Sequence, residues 1–140
     1  MQLDARLATF FDRAVIVDRI DRKKLRVYNR AGATIRKIAR RRFRRRSRPA
    51  MPGESPTDRT GKVKKFIFYS LDPIADSLLV GPTPVGRHDT AGALEHGGWF
   101  TIRNQRGKYV RAFYHQFPFM APALKDALPY IGDIWANTTF

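Results

Sequence analysis

The sequence predicts an α+β domain in which a long N-terminal helix and a short C-terminal helix pack on a small antiparallel β-sheet. Three observations predict it. Leu25, Tyr28, Gly32, Ile35, Ala39 and Phe43 follow one another at spacings of three or four, with Ala31 and Ile38 beside them, which is one apolar stripe at helical period. Two pairs of short alternating segments, each pair split by a turn signal, read as hairpins. Met120, Leu124, Leu128, Ile131 and Trp135 restore a helical spacing near the other end of the chain. The 140 residues, 43% of them apolar, suit a single domain with one modest core.

Residues 1–17 form an N-terminal arm, in which LATFF and AVIV suit either a short strand or an irregular lead into a helix. The long helix is expected over 18–46. Asp18 and Asp21 sit where acids help a helix start, and arginines gather where cations complement the macrodipole. Gly32 costs roughly 1 kcal/mol of propensity relative to Ala, which makes sense where another backbone crosses closely. Arg30, Lys37, Arg41 and Arg44 occupy the face opposite the stripe, and over the last two turns arginine covers nearly every direction except that of Phe43. Such an end should project from the body as a charged rod.

Residues 47–61 hold three prolines and two glycines and read as loop. The sheet is expected within 62–117. KKFIFYSL at 64–71 alternates Phe66 and Phe68 against Ile67 and Tyr69, which suits a strand buried on both sides better than a base-stacking platform. Asp72-Pro73 opens a turn, and 77–80 returns as a second strand closed by Gly81-Pro82. Loop follows over 83–92, and then a helical turn at 93–96 is stopped by Gly97-Gly98. WFTIRN at 99–104 and KYVRAF at 108–113 flank Gln105-Arg106-Gly107 as a second hairpin. The C-terminal helix and tail occupy 118–140. Pro122 fits the first helical turn, whereas Pro129 should kink or split the helix.

The charge is concentrated. Fourteen of the 27 Lys and Arg residues lie between Arg22 and Arg48, and no acid interrupts them until Glu54. Removing those 14 from the net charge of +15 leaves +1. The natural counter-ion of such an element is a polyanion. The candidate contacts to DNA or to an acidic protein partner are Arg36, Lys37, Arg40, Arg41, Arg44, Arg45, Arg46 and Arg48. No Asn or Gln base reader lies in 35–48, so the contact should be sequence-neutral.

Other chemistries find little support. Cysteine is absent, which removes disulfides and thiolate metal sites. His88, His96 and His115 are 8 and 19 residues apart and match no compact metal-ligand motif. Glu95-His96 lacks a second carboxylate at nuclease spacing, and Gly97-Gly98 is no phosphate loop. No catalytic residue, metal or cofactor is expected. The first residues make a poor signal peptide, and no apolar run reaches the length of a membrane span, so no membrane partner is expected.

Several motifs follow one another in a telling order. A long arginine-ended helix and a Pro/Gly loop lead to Arg59-Thr60-Gly61. Next come the basic-aromatic strand, Val80-Gly81-Pro82, Leu94-Glu95-His96-Gly97-Gly98, and Pro118-Phe119-Met120 opening the last helix. Over roughly residues 18–136 this series resembles the small neck or tail-completion (head–tail joining) proteins of tailed double-stranded-DNA phages. Phe117 stands before Pro118 where such proteins commonly carry Arg. The resemblance implies a non-enzymatic virion protein, assembled in the bacterial cytoplasm into a homo-oligomeric ring, usually six-fold in such proteins. That ring would join the portal or connector to the tail-tube or tail-terminator proteins around the DNA channel. Glu95, Phe117, Pro118, Phe119 and Met120 become candidate subunit contacts. The alternative is a nucleic-acid-binding module that uses the arginine-rich helix end without sequence preference.

Overall fold

The computed structural model describes residues 13–57, 60–83 and 90–138. The start of the N-terminal arm, Arg59 of the Arg-Thr-Gly motif and the loop bearing His88 lie outside the described residues. The fold is α+β. Helix α1 spans Arg13–Arg42 and a single turn, α2, spans Lys62–Lys65. Strands β1, Ile67–Asp72, and β2, Ser77–Pro82, follow. Then come α3, Thr90–His96, β3, Gly98–Arg103, β4, Tyr109–Tyr114, and α4, Met120–Ala136.

α1 is displaced from the expected 18–46 at both ends. Its helical hydrogen bonding begins by Arg13, so residues 13–17 belong to the helix and not to an arm. It stops at Arg42 because a tertiary contact takes over. Phe43 turns into the core, and the Arg44 N–H donates to the Pro56 carbonyl at 3.2 Å while Arg44 bridges to Thr57. Like charges at helical spacing through 40–46 also weaken a helical continuation. The buried stripe is Val27, Ala31, Ile35, Ala39 and Phe43. Each is four residues from the next, and Leu25, expected at its head, is exposed.

α4 packs antiparallel to α1. Tyr28 meets Trp135 edge-on at 6.2 Å at one end, and Arg42 pairs with Asp126 at the other. Small residues line the seam: Ala31 and Ala39 on α1, Ala123 and Ala127 on α4, all buried. α4 runs unbroken through Pro129. Pro129 is exposed, so the carbonyl it cannot satisfy four residues earlier is left to water, and the expected split does not occur.

The strands form two separate antiparallel pairs, not one sheet. β1 pairs with β2 from Ile67↔Pro82 to Asp72↔Ser77, and β3 with β4 from Gly98↔Tyr114 to Arg103↔Tyr109. α3 intervenes, and Gly97 and Gly98 reverse the chain at φ 65° and 114°, a region that favours glycine. β1 starts later than expected because α2 uses residues 62–65. It is buried on one face only: Ile67 is fully enclosed, while Phe66 and Phe68 are exposed.

Gly32 is indeed a point of close approach, although to a ring and not to a backbone. A Cβ there would lie 2.6 Å from Tyr69 Cδ2 and 2.7 Å from Cγ, with Leu78 Cδ1 at 3.1 Å. The root of an aromatic ring cannot swing away as a flexible chain end can. Gly32→Val is expected to destabilise the protein by roughly 2 kcal/mol, the overpacking cost outweighing any gain in helix propensity. A melting temperature equal to that of the parent chain would show that the Tyr69 ring yields freely.

Candidate polyanion interface

The expected cations divide into three groups. Arg36 and Arg40 turn toward β1. Arg36 Nε donates to the Ile67 carbonyl at 2.8 Å, and its guanidinium lies 5.2 Å from the centre of the Phe68 ring. Arg40 Nη2 donates to the Lys65 carbonyl at 2.9 Å and to that of Ile67 at 3.3 Å. Its buried Nε has no hydrogen-bond partner among the described residues. Burial, then the charge of Arg36, holds the Arg40 guanidinium below its ordinary range.

Arg46 and Arg48 are claimed by the loop. Arg46 Nη1 meets Glu54 Oε2 at 2.7 Å, and Arg48 Nη2 lies 3.6 Å from Glu54 Oε1. The Met51 N–H donates to the same carboxylate at 3.1 Å. That N–H, followed by Arg46 and Arg48, holds the Glu54 carboxyl below its ordinary value against the opposing effect of burial. The rod expected to run to residue 46 is therefore folded back at its tip, where Arg46 and Arg48 share the one negative charge of Glu54.

Lys37, Arg41, Arg44 and Arg45 remain. All four are exposed, and none has a carboxylate partner among the described residues. Lys37, Arg41 and Arg44 line a groove of about 740 Å³ between α1 and α4, together with Arg42 and Tyr130. Its one carboxylate, Asp126, is already paired with Arg42. Lys37 and Arg41 also border a cleft of about 300 Å³ that contains Arg36, Arg40 and Lys64. The two depressions make a continuous cationic surface on the flank of α1. Arg42, Lys64 and Tyr130 were not among the expected contacts. Arg42 is set apart from the other arginines of its run by its pairing with Asp126, and α2 carries Lys64 to the cleft.

The expected subunit contacts assemble into an internal joint. Glu95 Oε2 accepts the N–H groups of Phe119 and Met120 at 2.8 and 2.9 Å, and Oε1 accepts that of Ala121 at 2.9 Å. A carboxylate from α3 thus caps α4, whose own N-cap residue, Phe119, offers no side-chain bond. The Phe117 N–H donates to the Leu94 carbonyl at 2.7 Å. Phe119 is 0% exposed and packs on Phe43, ring centres 4.7 Å apart. In this conformation Phe119 belongs to the core and cannot meet a neighbour, and Glu95 is engaged within its own chain. Phe117, Pro118 and Met120 are half-buried. An apolar groove of about 580 Å³ lies beside the joint, lined by Leu78, Val80, Pro82, Met120 and Leu124.

Among the described residues no group of three His, Asp or Glu side chains is placed to hold a metal, and no helix is long and apolar enough to cross a membrane. No protein-family model, curated protein or solved structure matches the chain.

Proposed function

We propose that this chain is a structural, non-enzymatic subunit of the neck of a tailed double-stranded-DNA phage. It would form a six-fold ring that joins the portal or connector to the tail and surrounds the DNA channel. The observation that carries this reading is the surface built by Lys37, Arg41 and Arg44, whose only nearby carboxylate among the described residues is already taken by Arg42. Such a surface is complete only against an external anion, either channel DNA or an acidic neighbour. Two motifs of the resemblance, 94–98 and 118–124, also meet through Glu95, so they act as one structural unit. Exposed Leu124, Leu128 and Tyr130 on α4, with the adjoining apolar groove, supply unlike surfaces of the kind a head-to-tail ring needs. Mass photometry and negative-stain microscopy of the purified protein, alone and with phage particles, test the proposal. Rings, or density at the head–tail joint, are expected. A monodisperse monomer that never associates with head or tail components overturns it.

The same cations favour a second reading, a sequence-neutral nucleic-acid-binding module. If four of them meet phosphates, affinity should fall on the order of a hundredfold between 50 and 200 mM salt. Fluorescence anisotropy with two unrelated duplexes should give equal affinities. Combined replacement of Lys37, Arg41, Arg44 and Arg45 by Gln should flatten the salt dependence. Arg40 is left in place because its bonds to Lys65 and Ile67 support the start of β1. Absence of binding at low salt eliminates this reading and leaves the ring intact.

A further inference from the structure

We propose that the outer face of the β3–β4 hairpin binds single-stranded nucleic acid, independently of the cations on α1. The register places Trp99 beside Phe113, Thr101 beside Arg111 and Arg103 beside Tyr109, and cross-strand partners share a face. On that face Trp99 is 61% exposed, Phe113 52% and Tyr109 71%. The Arg111 guanidinium lies 5.3 Å from the Trp99 ring centre, and Phe113 meets Trp99 at 5.4 Å and His115 at 5.3 Å. The result is a row of flat groups interleaved with cations. Same-face residues along a strand repeat at about 6.6 Å, comparable to the sugar–phosphate repeat of an extended strand.

Charge decides the class of partner. No Asp or Glu occurs between Glu95 and Asp126, while Arg103, Arg106, Lys108, Arg111 and Lys125 do. Among the described residues, a second copy of the chain has little to offer these cations. Within the described residues Asp18, Asp76 and Asp126 are paired with Arg22, Lys24 and Arg42. Glu54 holds Arg46 and Arg48, Glu95 caps α4, and Asp72 accepts the Ile74 and Ala75 N–H groups of its own turn. Six of the eight described carboxylates are thus engaged internally. The complement to this face is a ligand that carries both negative charge and flat apolar surfaces, which describes unpaired nucleotides. A duplex hides its base faces and offers this row only phosphates.

The test uses the full chain carrying Trp135→Phe, which leaves Trp99 as the single tryptophan. Oligothymidine of about 12 nucleotides is titrated at low salt while Trp99 emission is followed, with a duplex of equal length in parallel. Quenching by the single strand is expected, with at least tenfold weaker binding to the duplex in the Lys37, Arg41, Arg44 and Arg45→Gln background. Phe113→Ala, read by the same emission, should weaken single-strand binding about tenfold, the loss of one stacking contact. Arg111→Gln, which leaves every apolar contact of the fold in place, should also weaken it. Trp99→Ala, read by anisotropy of labelled oligothymidine, provides the complementary measurement. Absence of quenching at saturation overturns the proposal, as does unchanged affinity in both Arg111→Gln and Phe113→Ala. Unchanged oligonucleotide binding combined with lost self-association would assign the face to a protein contact instead, which also overturns it. The quenching and affinity outcomes say nothing of whether rings form. Only the loss of self-association would bear on them, and it would place this face in the ring contact, so the neck reading stands or falls separately from nucleotide binding.

Discussion

Glu95→Ala is expected to lower the melting temperature by about 10 °C, corresponding to roughly 2–3 kcal/mol in a chain of this size. One carboxylate serves three consecutive amide groups at the start of α4, at 2.8, 2.9 and 2.9 Å. Alanine leaves all three without a side-chain acceptor. The half-buried position lets water recover part of the loss, which keeps the cost below the sum of three charged hydrogen bonds. The anion is also removed from the positive end of the helix dipole. Glu95→Gln should fall between the two, because its single carbonyl oxygen can serve the Phe119 and Met120 amides but not that of Ala121 as well. Calorimetry of the three chains gives the comparison. A change of under about 2 °C for Glu95→Ala would mean that water caps α4 as well as the carboxylate does.

Phe119→Ala should cost more, about 3–5 kcal/mol. The side chain is fully enclosed among Ala39, Phe43, Ile67, Ala91 and Ala123. Most of these neighbours are alanines or one-ring contacts with little reach, so collapse into the vacated volume is limited. A domain of this kind holds only about 5–15 kcal/mol in all, and the variant could lose a large share of it. Urea denaturation should show a lower midpoint with an unchanged slope. The same experiment separates the core from the contact reading of Phe119. A residue that served only a neighbour would leave the isolated subunit as stable as before and weaken assembly alone.

The parts of the fold that were legible in the sequence rest on local periodicity. The apolar stripe of α1, both hairpin turns and the two helices with two strand pairs follow from spacing and turn chemistry. The helix end did not. Phe43 was expected on the apolar stripe, but nothing local says that the helix stops before it or that Pro56, 12 residues from Arg44, supplies the next carbonyl. The fate of the cations was hidden for the same reason. Arg42 and Asp126 are 84 residues apart, and their pairing exists only once α4 lies against α1. The double burial expected of β1 failed because α1 packs on one face of the β1–β2 pair and, among the described residues, no other element makes more than slight contact with it, which leaves Phe66 and Phe68 exposed. Glu95 was visible as part of a motif, but its role became clear only when α3 and the start of α4 met.

Arg36 and Arg40 converge on one carbonyl oxygen, that of Ile67. Two guanidinium groups held so close repel, and a fold that stores such repulsion is sensitive to electrolyte. The Arg36–Arg40 pair lies inside the Debye length at any ordinary salt, but it adds to a net charge of +15 whose longer-range repulsion is shielded as that length shrinks from about 30 Å at 0.01 M to about 10 Å at 0.1 M, while the N–H···O=C bonds stay in place. Raising salt should therefore lift the melting temperature over the same range in which it loosens any complex with a polyanion. Buffers that best preserve this protein and buffers that best display its partner pull in opposite directions.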